Sequence, residues 1–377
     1  MFKINKYKKY LTEDILPFWI KNAFDKEYGG LSTFIDSRGK LKNDDKSVLF
    51  IGRSLWTFAN AYNKIEAKKE YLDACESLYS FYSKCILHDG RLPFLVKRNG
   101  EMIEKRENFH VEGFACMGCA GLYKATKRED VKKKALDFFE IVLRVYNEKK
   151  TTTVLKDGVL HNIFGAEMML LNICQFMRSS GIEDSRFNEL IDGAIENIKA
   201  YGFIDDKNKR MREYAPVDCK EAVIGDDEYV CFGHLYEAAW FIMSEGAYRN
   251  DSELCRLGRK IMDYALDMEK DFCPLRTSNT GFEYIWWPQC EAMCAFALGY
   301  NIYGDKKYKD NFEKLYNFAL DNFADKENGE WFTTCTKEGK ITNTDKGGLF
   351  KGPFHLPRLF MVLSCLEDYD SILNYVN

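Results

Sequence analysis

Two of the five histidines sit in short motifs whose neighbours suit proton transfer. His234 lies in Gly233-His234-Leu235-Tyr236-Glu237-Ala238-Ala239-Trp240, and His355 in Lys351-Gly352-Pro353-Phe354-His355-Leu356-Pro357-Arg358. Each opens an apolar helical stretch, and imidazole is the side chain best placed to take and return a proton near neutral pH. Glu237 follows His234 by three residues. Residues i and i+3 share a helix face, so this carboxylate is expected to orient the ring and stabilise its protonated form. Pro353 and Pro357 stiffen the turn that carries His355. Two imidazoles facing one cavity would take a proton from a small substrate and redeliver it.

Arg53 stands in an otherwise apolar helix, Ile51-Gly52-Arg53-Ser54-Leu55-Trp56-Thr57-Phe58. A buried guanidinium must be paired or must line a wet cavity. A pair with Glu112 and a substrate role are both open to it. Glu112 and Glu291 pose the same question on their own apolar helices. Trp240, Trp286 and Trp287 stand beside these groups, and flat rings next to polar groups make floors for sugar rings. His234 and Glu237 do not make a zinc motif, and no HExxH occurs, so no metal is expected.

These residues need a frame to bring them together. Apolar residues recur at helical spacing over 4–23, 46–65, 68–87, 108–126, 129–148, 164–179, 184–201, 231–248, 251–269, 285–303, 306–323 and 355–375. Hairpin patterns with Asn-Gly or Glu-Gly turns fall at 94–101 and 331–340. The stretch 202–230 lacks periodicity and is expected to be functional or to cover a cavity. The even-numbered helices are the more apolar, and each carries an unexpected polar group near its start: Arg53, Glu112, Glu167 or Asn172, His234, Glu291 and His355. A period near sixty residues per helix pair suits six helical hairpins in a ring, with even helices inside. The expected fold is therefore all-α, an (α/α)6 barrel with short β-hairpins in its loops, one domain over 1–377. An open solenoid shares the period but not the convergence of polar groups.

Composition narrows the partners. With 54 basic and 58 acidic residues, formal charge −4 and 15% aromatic residues, the chain has material for a large core. It shows no basic stripe for a nucleic acid or an anionic membrane. No apolar run reaches transmembrane length, and the N-terminus reads as an amphipathic helix rather than a signal peptide. Thirteen cysteines, mostly within apolar helical patterns, point to reduced thiols and a cytoplasmic setting. Cys116-Met117-Gly118-Cys119 reads as helix packing. Gly347-Gly348-Leu349-Phe350-Lys351-Gly352 lacks the ending of a P-loop. His88 and His110 lack such context and His161 falls in a loop, so all three read as structural or solvated.

The ordered set of motifs resembles the N-acylglucosamine 2-epimerase superfamily, which includes cellobiose 2-epimerases and mannose isomerases. The resemblance spans nearly the whole chain. It is carried by Tyr28-Gly29-Gly30, Gly52-Arg53 before Trp56, Glu112-Gly113-Phe114 and Met168-Met169-Leu170-Leu171-Asn172. It continues through Gly233-His234 with Glu237 and Trp240, Trp286-Trp287-Pro288-Gln289-Cys290-Glu291, Gly329-Glu330-Trp331-Phe332, and Lys346-Gly347-Gly348 through Arg358.

The resemblance implies an (α/α)6 barrel that epimerises or isomerises free sugars with no required cofactor, His234 and His355 being the acid/base pair. The matching arginine and glutamates, Arg53, Glu237, Glu112 and Glu291, would hold the sugar or orient the histidines. Asn172, Trp240, Trp287 and Arg358 fall within the same motifs and are assigned to substrate binding. Some relatives are activated by a nucleotide, which leaves ATP as an allosteric activator, although no motif marks it. A homodimer is open.

The chemistry fits the residues. Ring opening exposes an aldehyde that acidifies the C2 proton, and Arg53 is placed to meet the oxyanion at O1. His355 is assigned to C2 and His234 to ring opening and proton return. The cellobiose and mannose relatives carry a His-x-His pair where this chain has Ile163-Phe164-Gly165. The Met-Met-Leu-Leu-Asn and Lys-Gly-Pro-Phe-His-Leu-Pro-Arg segments look more like the N-acylglucosamine branch. Gln289 and Glu167 depart from that branch, which usually carries histidine and proline there. An N-acyl-D-glucosamine/N-acyl-D-mannosamine pair is the expected substrate, with non-acetylated sugars as the alternative. A glycoside hydrolase, using Glu112 and Glu291, and a non-catalytic sugar-binding protein are the other readings.

Overall fold

Half of the helices bury apolar residues on every side and half on one stripe, and that difference decides the architecture. Residues 4–149, 151–219, 222–225, 228–269 and 283–366 are described in a computed structural model. Helix α1 runs Ile4–Tyr10, passes a π-helical turn at Leu11–Ile15 and continues over Leu16–Asn22. Helix α2 is Val48–Asn60, ending in a second π turn, Ala61–Ile65, and α3 is Lys69–Cys85. Then come α4, His110–Thr126, α5, Glu129–Asn147, α6, Phe164–Ser179, and α7, Arg186–Ala200. The series ends with α8, Phe232–Arg249, α9, Ser252–Met268, α10, Trp286–Tyr303, α11, Lys306–Asn322, and α12, His355–Ser364. Of the last helix expected over 355–375, residues 367–375 lie outside the described residues.

Every residue of α4 from Val111 to Tyr123 is buried, as an inner helix requires. In α5 the buried residues Val131, Ala135, Phe138, Phe139 and Val142 form one stripe, as an outer helix requires. The inner helices α2, α4, α6, α8, α10 and α12 pack side by side in chain order. Helices α3, α5, α7, α9 and α11 each cover the inner helix that precedes them, and α1 covers α12. The sixth pair therefore joins the two ends of the chain. Tyr7 and Tyr10 pack on Phe360, with ring centroids 6.1 and 4.9 Å apart. Trp19 donates its indole N–H to Glu330 over 2.7 Å. Thr57 of α2 donates to the carbonyl of Pro353 at 2.6 Å. This is an (α/α)6 barrel, closed by its first helix.

Five small antiparallel sheets decorate the described loops. The hairpin expected at 94–101 is Leu95–Val96 against Met102–Glu104, and the one at 331–340 is Thr334–Cys335 against Ile341–Asn343. Their third strands, Lys46–Ser47 and Tyr284–Ile285, lead directly into α2 and α10. Within the aperiodic 202–230 stretch, Tyr214–Pro216 pairs with Leu160–Ile163, which leads into α6. His161 is thus in a strand rather than the expected loop, and it is buried. The residues before the inner helices, Ser47, Phe109, Ile163, Cys231, Ile285 and Phe354, provide no side-chain cap. Asp251 and Asp305 do cap outer helices α9 and α11. The inner N-termini, with the positive ends of their dipoles, gather at one mouth. Two buried ion pairs hold the loops there, Lys46 with Asp25 at 2.9 Å and Lys346 with Asp325 at 3.1 Å.

Candidate active site

The mouth of the ring opens into a cavity of about 680 Å³ lined by Arg53, Cys231, His234, Glu237, Trp286, Trp287, Lys351 and His355 among others. That size suits a small-molecule site. A side recess of about 40 Å³ continues from Arg53 and His234 past His110, Phe114, Gly165, Met168, Met169, Asn172 and Phe241 to Arg358. His234 stands in the first turn of α8 and His355 is the first residue of α12. The two imidazoles share one neighbour, Trp287, whose ring centroid is 5.7 Å from His234 and 5.0 Å from His355. Glycine at 233 permits this approach, because a Cβ there would stand 2.1 Å from the Trp287 ring.

The two rings are held in opposite ways. His355 Nδ1 lies 2.8 Å from Glu291 Oε1. The same carboxylate accepts from Arg358 at 2.7 Å and from the Trp240 indole at 3.0 Å. With Nδ1–H donated to Glu291, Nε2 keeps its lone pair. Burial, and then the nearby Arg53 and Arg358 charges, push the His355 pKa well below the ordinary imidazole value, so the neutral base is the resting form. Burial also pushes the Glu291 carboxyl up, against the pull of Arg358.

His234 Nδ1 meets Glu213 Oε1 at 3.0 Å. Burial works against charge on this ring, but Cys231 and Glu213 outweigh it and raise its pKa well above the ordinary value. A neutral base and a protonated acid on one cavity are what general acid/base work needs.

Arg53 supplies a third element. Its guanidinium lies among the rings of Phe114, Phe354 and Phe50, at 4.3, 5.0 and 5.2 Å. Its buried Nε has no hydrogen-bond partner among the described residues. Burial lowers its pKa to about 10, which leaves it charged at neutral pH. Packed on aromatic faces rather than neutralised by a carboxylate, this cation is available to an oxyanion.

Several expectations change. Glu237, expected to orient His234, accepts instead from Arg358 and lines the cavity. The carboxylate that holds His234 is Glu213, from the aperiodic stretch, and it also accepts from the backbone N–H of Gly165 at 3.1 Å. Glu112 pairs neither with Arg53 nor with the cavity. Its buried carboxylate accepts from Arg91 at 2.6 Å and from Leu92 N–H at 3.0 Å, so it braces the wall from behind. Trp240 likewise stands behind the site, donating to Glu291 with the Arg358 guanidinium 5.3 Å from its ring. Trp287 and Asn172 do face the cavity and its recess. His110, read as structural or solvated, lines the recess, and burial lowers its pKa to about 4. The only sequence signal for Glu213 was the length of its aperiodic segment.

Comparison with known proteins places this geometry. The sequence profile described as N-acylglucosamine 2-epimerase (GlcNAc 2-epimerase) matches residues 29–354. The rat N-acylglucosamine 2-epimerase is 26% identical, over 96% of this chain and 90% of its own length. Among solved structures, the cellobiose 2-epimerase from Bacillus thermoamylovorans B4167 superposes with TM-score 0.82 at 22% identity, covering 97% of this chain and 98% of that one. A D-mannose isomerase superposes with TM-score 0.78 at 14% identity, covering 94% and 96%. These two share the barrel. Matched from its first mouth loop to the residue before His355, the chain belongs to the N-acylglucosamine 2-epimerase family.

Proposed function

We propose that the protein interconverts N-acyl-D-glucosamine and N-acyl-D-mannosamine by moving the C2 proton of the ring-opened sugar. One observation carries the reading: two imidazoles face one cavity, each with Nδ1 on its own carboxylate, His355 at 2.8 Å from Glu291 and His234 at 3.0 Å from Glu213. His234 gives its proton to the ring oxygen as the hemiacetal opens and takes up the proton of the anomeric hydroxyl, which leaves it charged for the later step. The Nε2 lone pair of His355 takes the proton from C2, and the C–H electron pair becomes the C1–C2 double bond of an enolate. Arg53 holds the negative charge on O1, a role that in comparable sites is worth about 10²- to 10³-fold in rate. Return of a proton to the other face of C2, from His234, inverts that centre, and exchange with solvent then takes the proton from His355 and recharges His234. Trp287 forms the floor between the two rings.

The 2-acetamido preference is supported by the recess beside Arg53, where Phe114, Met168, Met169 and Phe241 offer apolar contact to an acyl methyl and Asn172 a polar partner. A second reading, a non-acetylated aldose or a disaccharide, is supported by the size of the outer cavity, which reaches Asn343 and Phe350. Buried, unbridged thiols such as Cys75, Cys174 and Cys294 support a reducing, cytoplasmic setting. No helix among the described residues is long and apolar enough to cross a membrane.

Proton NMR in deuterium oxide with N-acetylglucosamine, N-acetylmannosamine, glucose, mannose and cellobiose tests the reading. The expected result is loss of the C2 proton signal of N-acetylglucosamine as N-acetylmannosamine appears, abolished by His355→Ala. Formation of a ketose from mannose would move the assignment to the second reading. No interconversion of any of the five sugars would sink both.

A further inference from the structure

The acid-side histidine belongs to a cluster that the epimerase chemistry does not explain. Glu213, Cys231 and His234 each offer one ligand atom, and these atoms lie within 4.8 Å of one another. Cys231 immediately precedes α8 and His234 is three residues on, so both stand at its first turn. Glu213 is fixed by its backbone: Phe164 N–H donates to its carbonyl at 2.9 Å, and its own N–H donates to Tyr229 at 3.1 Å. Its side chain is buried, yet Oε2 has no hydrogen-bond partner among the described residues. A buried carboxylate oxygen without a partner is costly unless something else takes it up.

We propose that Glu213, Cys231 and His234 form a binding site for a zinc-class divalent cation on the wall of the cavity. Thiolate, imidazole and carboxylate together select a borderline cation over magnesium or calcium. Zinc bonds of about 2.0–2.3 Å put neighbouring ligand atoms roughly 3.3–3.6 Å apart. The present Nδ1 to Oε1 separation of 3.0 Å is already close to that. Burial raises the Cys231 pKa, so the cation must displace the thiol proton on binding. The resulting thiolate and the Glu213 carboxylate then neutralise a dication, which lowers the cost of holding it in a buried wall. The N–H of Gly165 on Glu213 Oε1 is the outer-shell bond that orients a ligating carboxylate. Three protein ligands leave the fourth position open to the cavity, which Cys231 and His234 both line.

A second cluster shows why this one is distinct. Ligand atoms of Glu237, Glu291 and His355 lie equally close together, but Arg358 already bonds both carboxylates there. A guanidinium occupies that place and a metal cation would be repelled. Around Glu213 no such cation intervenes among the described residues. The functional consequence rests on the reading of His234 as proton donor: a cation that takes its ring nitrogen and its carboxylate partner switches the site off reversibly.

Cobalt(II), a spectroscopic stand-in for zinc, tests binding without any assay of activity. The full-length protein, stripped with chelator and dialysed, is titrated with CoCl2. One equivalent is expected to give the strong visible bands of a four-coordinate centre with a thiolate charge-transfer band in the near ultraviolet. Cys231→Ala and Cys231→Ser, both checked for fold by circular dichroism, should lose the charge-transfer band, and Glu213→Gln should weaken binding at least tenfold. Absence of the band in wild type, or its persistence in both Cys231 variants, overturns the site. With epimerisation as readout, ZnCl2 should slow wild type at concentrations at least tenfold below those needed for Cys231→Ala, each compared with its own zinc-free rate. Bands without any sugar turnover would leave the site standing and overturn the proposed function alone.

Discussion

His355 and Arg358, one turn apart at the start of α12, meet on the same oxygen of Glu291, from Nδ1 at 2.8 Å and Nη2 at 2.7 Å. The shared carboxylate fixes the histidine tautomer, and the guanidinium favours its ionised form, partly offsetting the burial that raises its pKa. Glu291→Gln keeps the shape but can present its amide N–H₂ to Nδ1, which favours the wrong tautomer. Epimerisation should fall by about 10²- to 10⁴-fold with the far-ultraviolet circular dichroism unchanged. Near-wild-type turnover would remove Glu291 from the mechanism.

The pH profile follows from the two directions of shift. His355 must be neutral and its pKa is displaced downward, so the acid limb should fall below the ordinary imidazole range. His234 must be protonated and its pKa is displaced upward, so the alkaline limb should fall above it. A broad plateau across neutrality is expected for kcat/KM in chelator-treated protein. Glu213→Gln removes a charge that favours the imidazolium. That lowers the His234 pKa and moves the alkaline limb toward neutral pH, leaving the acid limb in place.

Arg53 makes no ion pair among the described residues, so its removal separates rate from stability. Arg53→Met should lower kcat by about 10²- to 10³-fold, while the melting temperature stays unchanged or rises as a buried charge is lost. A large loss of stability with modest loss of kcat would recast the residue as structural.

Gly165 faces the acid side. A Cβ there would lie 2.9 Å from His234 Nδ1 and 3.0 Å from Glu213 Oε1. These are side-chain ends that can yield, so Gly165→Ala should fold normally but displace the imidazole. The expected result is a loss of kcat of tenfold or more, a misplacement effect, with little change in Tm.

Asp325 tests the mouth. It pairs with Lys346, whose side chain is fully buried. Asp325→Ala leaves that ammonium without its carboxylate, at a cost of about 3–5 kcal/mol. Chemical denaturation should show it as a lower midpoint with unchanged slope.

The helices and the histidine motifs were legible because their signals are local. Helical periodicity, the polar residue near the start of each inner helix and the prolines around His355 are all read within a few residues. Glu213 was not legible. It stands in an irregular segment and reaches His234 only because Tyr214 pairs with Ile163 and draws that segment to the start of α6. The partner given to His234 from spacing, Glu237, shares its helix but finds a stronger donor across the ring in Arg358. Glu112 was drawn away in the same manner by Arg91, twenty-one residues earlier in the chain.

By itself, then, the amino-acid order determined the twelve helices, which of them are inner, and the two imidazoles with Arg53 that face the cavity. Only the folded ring decided that α1 closes on α12, and that Glu213 and Glu291 are the carboxylates that set the two histidines apart. The physical reason is range. Backbone hydrogen bonding and apolar patterning act between near neighbours, whereas a buried charge takes whichever partner the tertiary packing brings within about 3 Å.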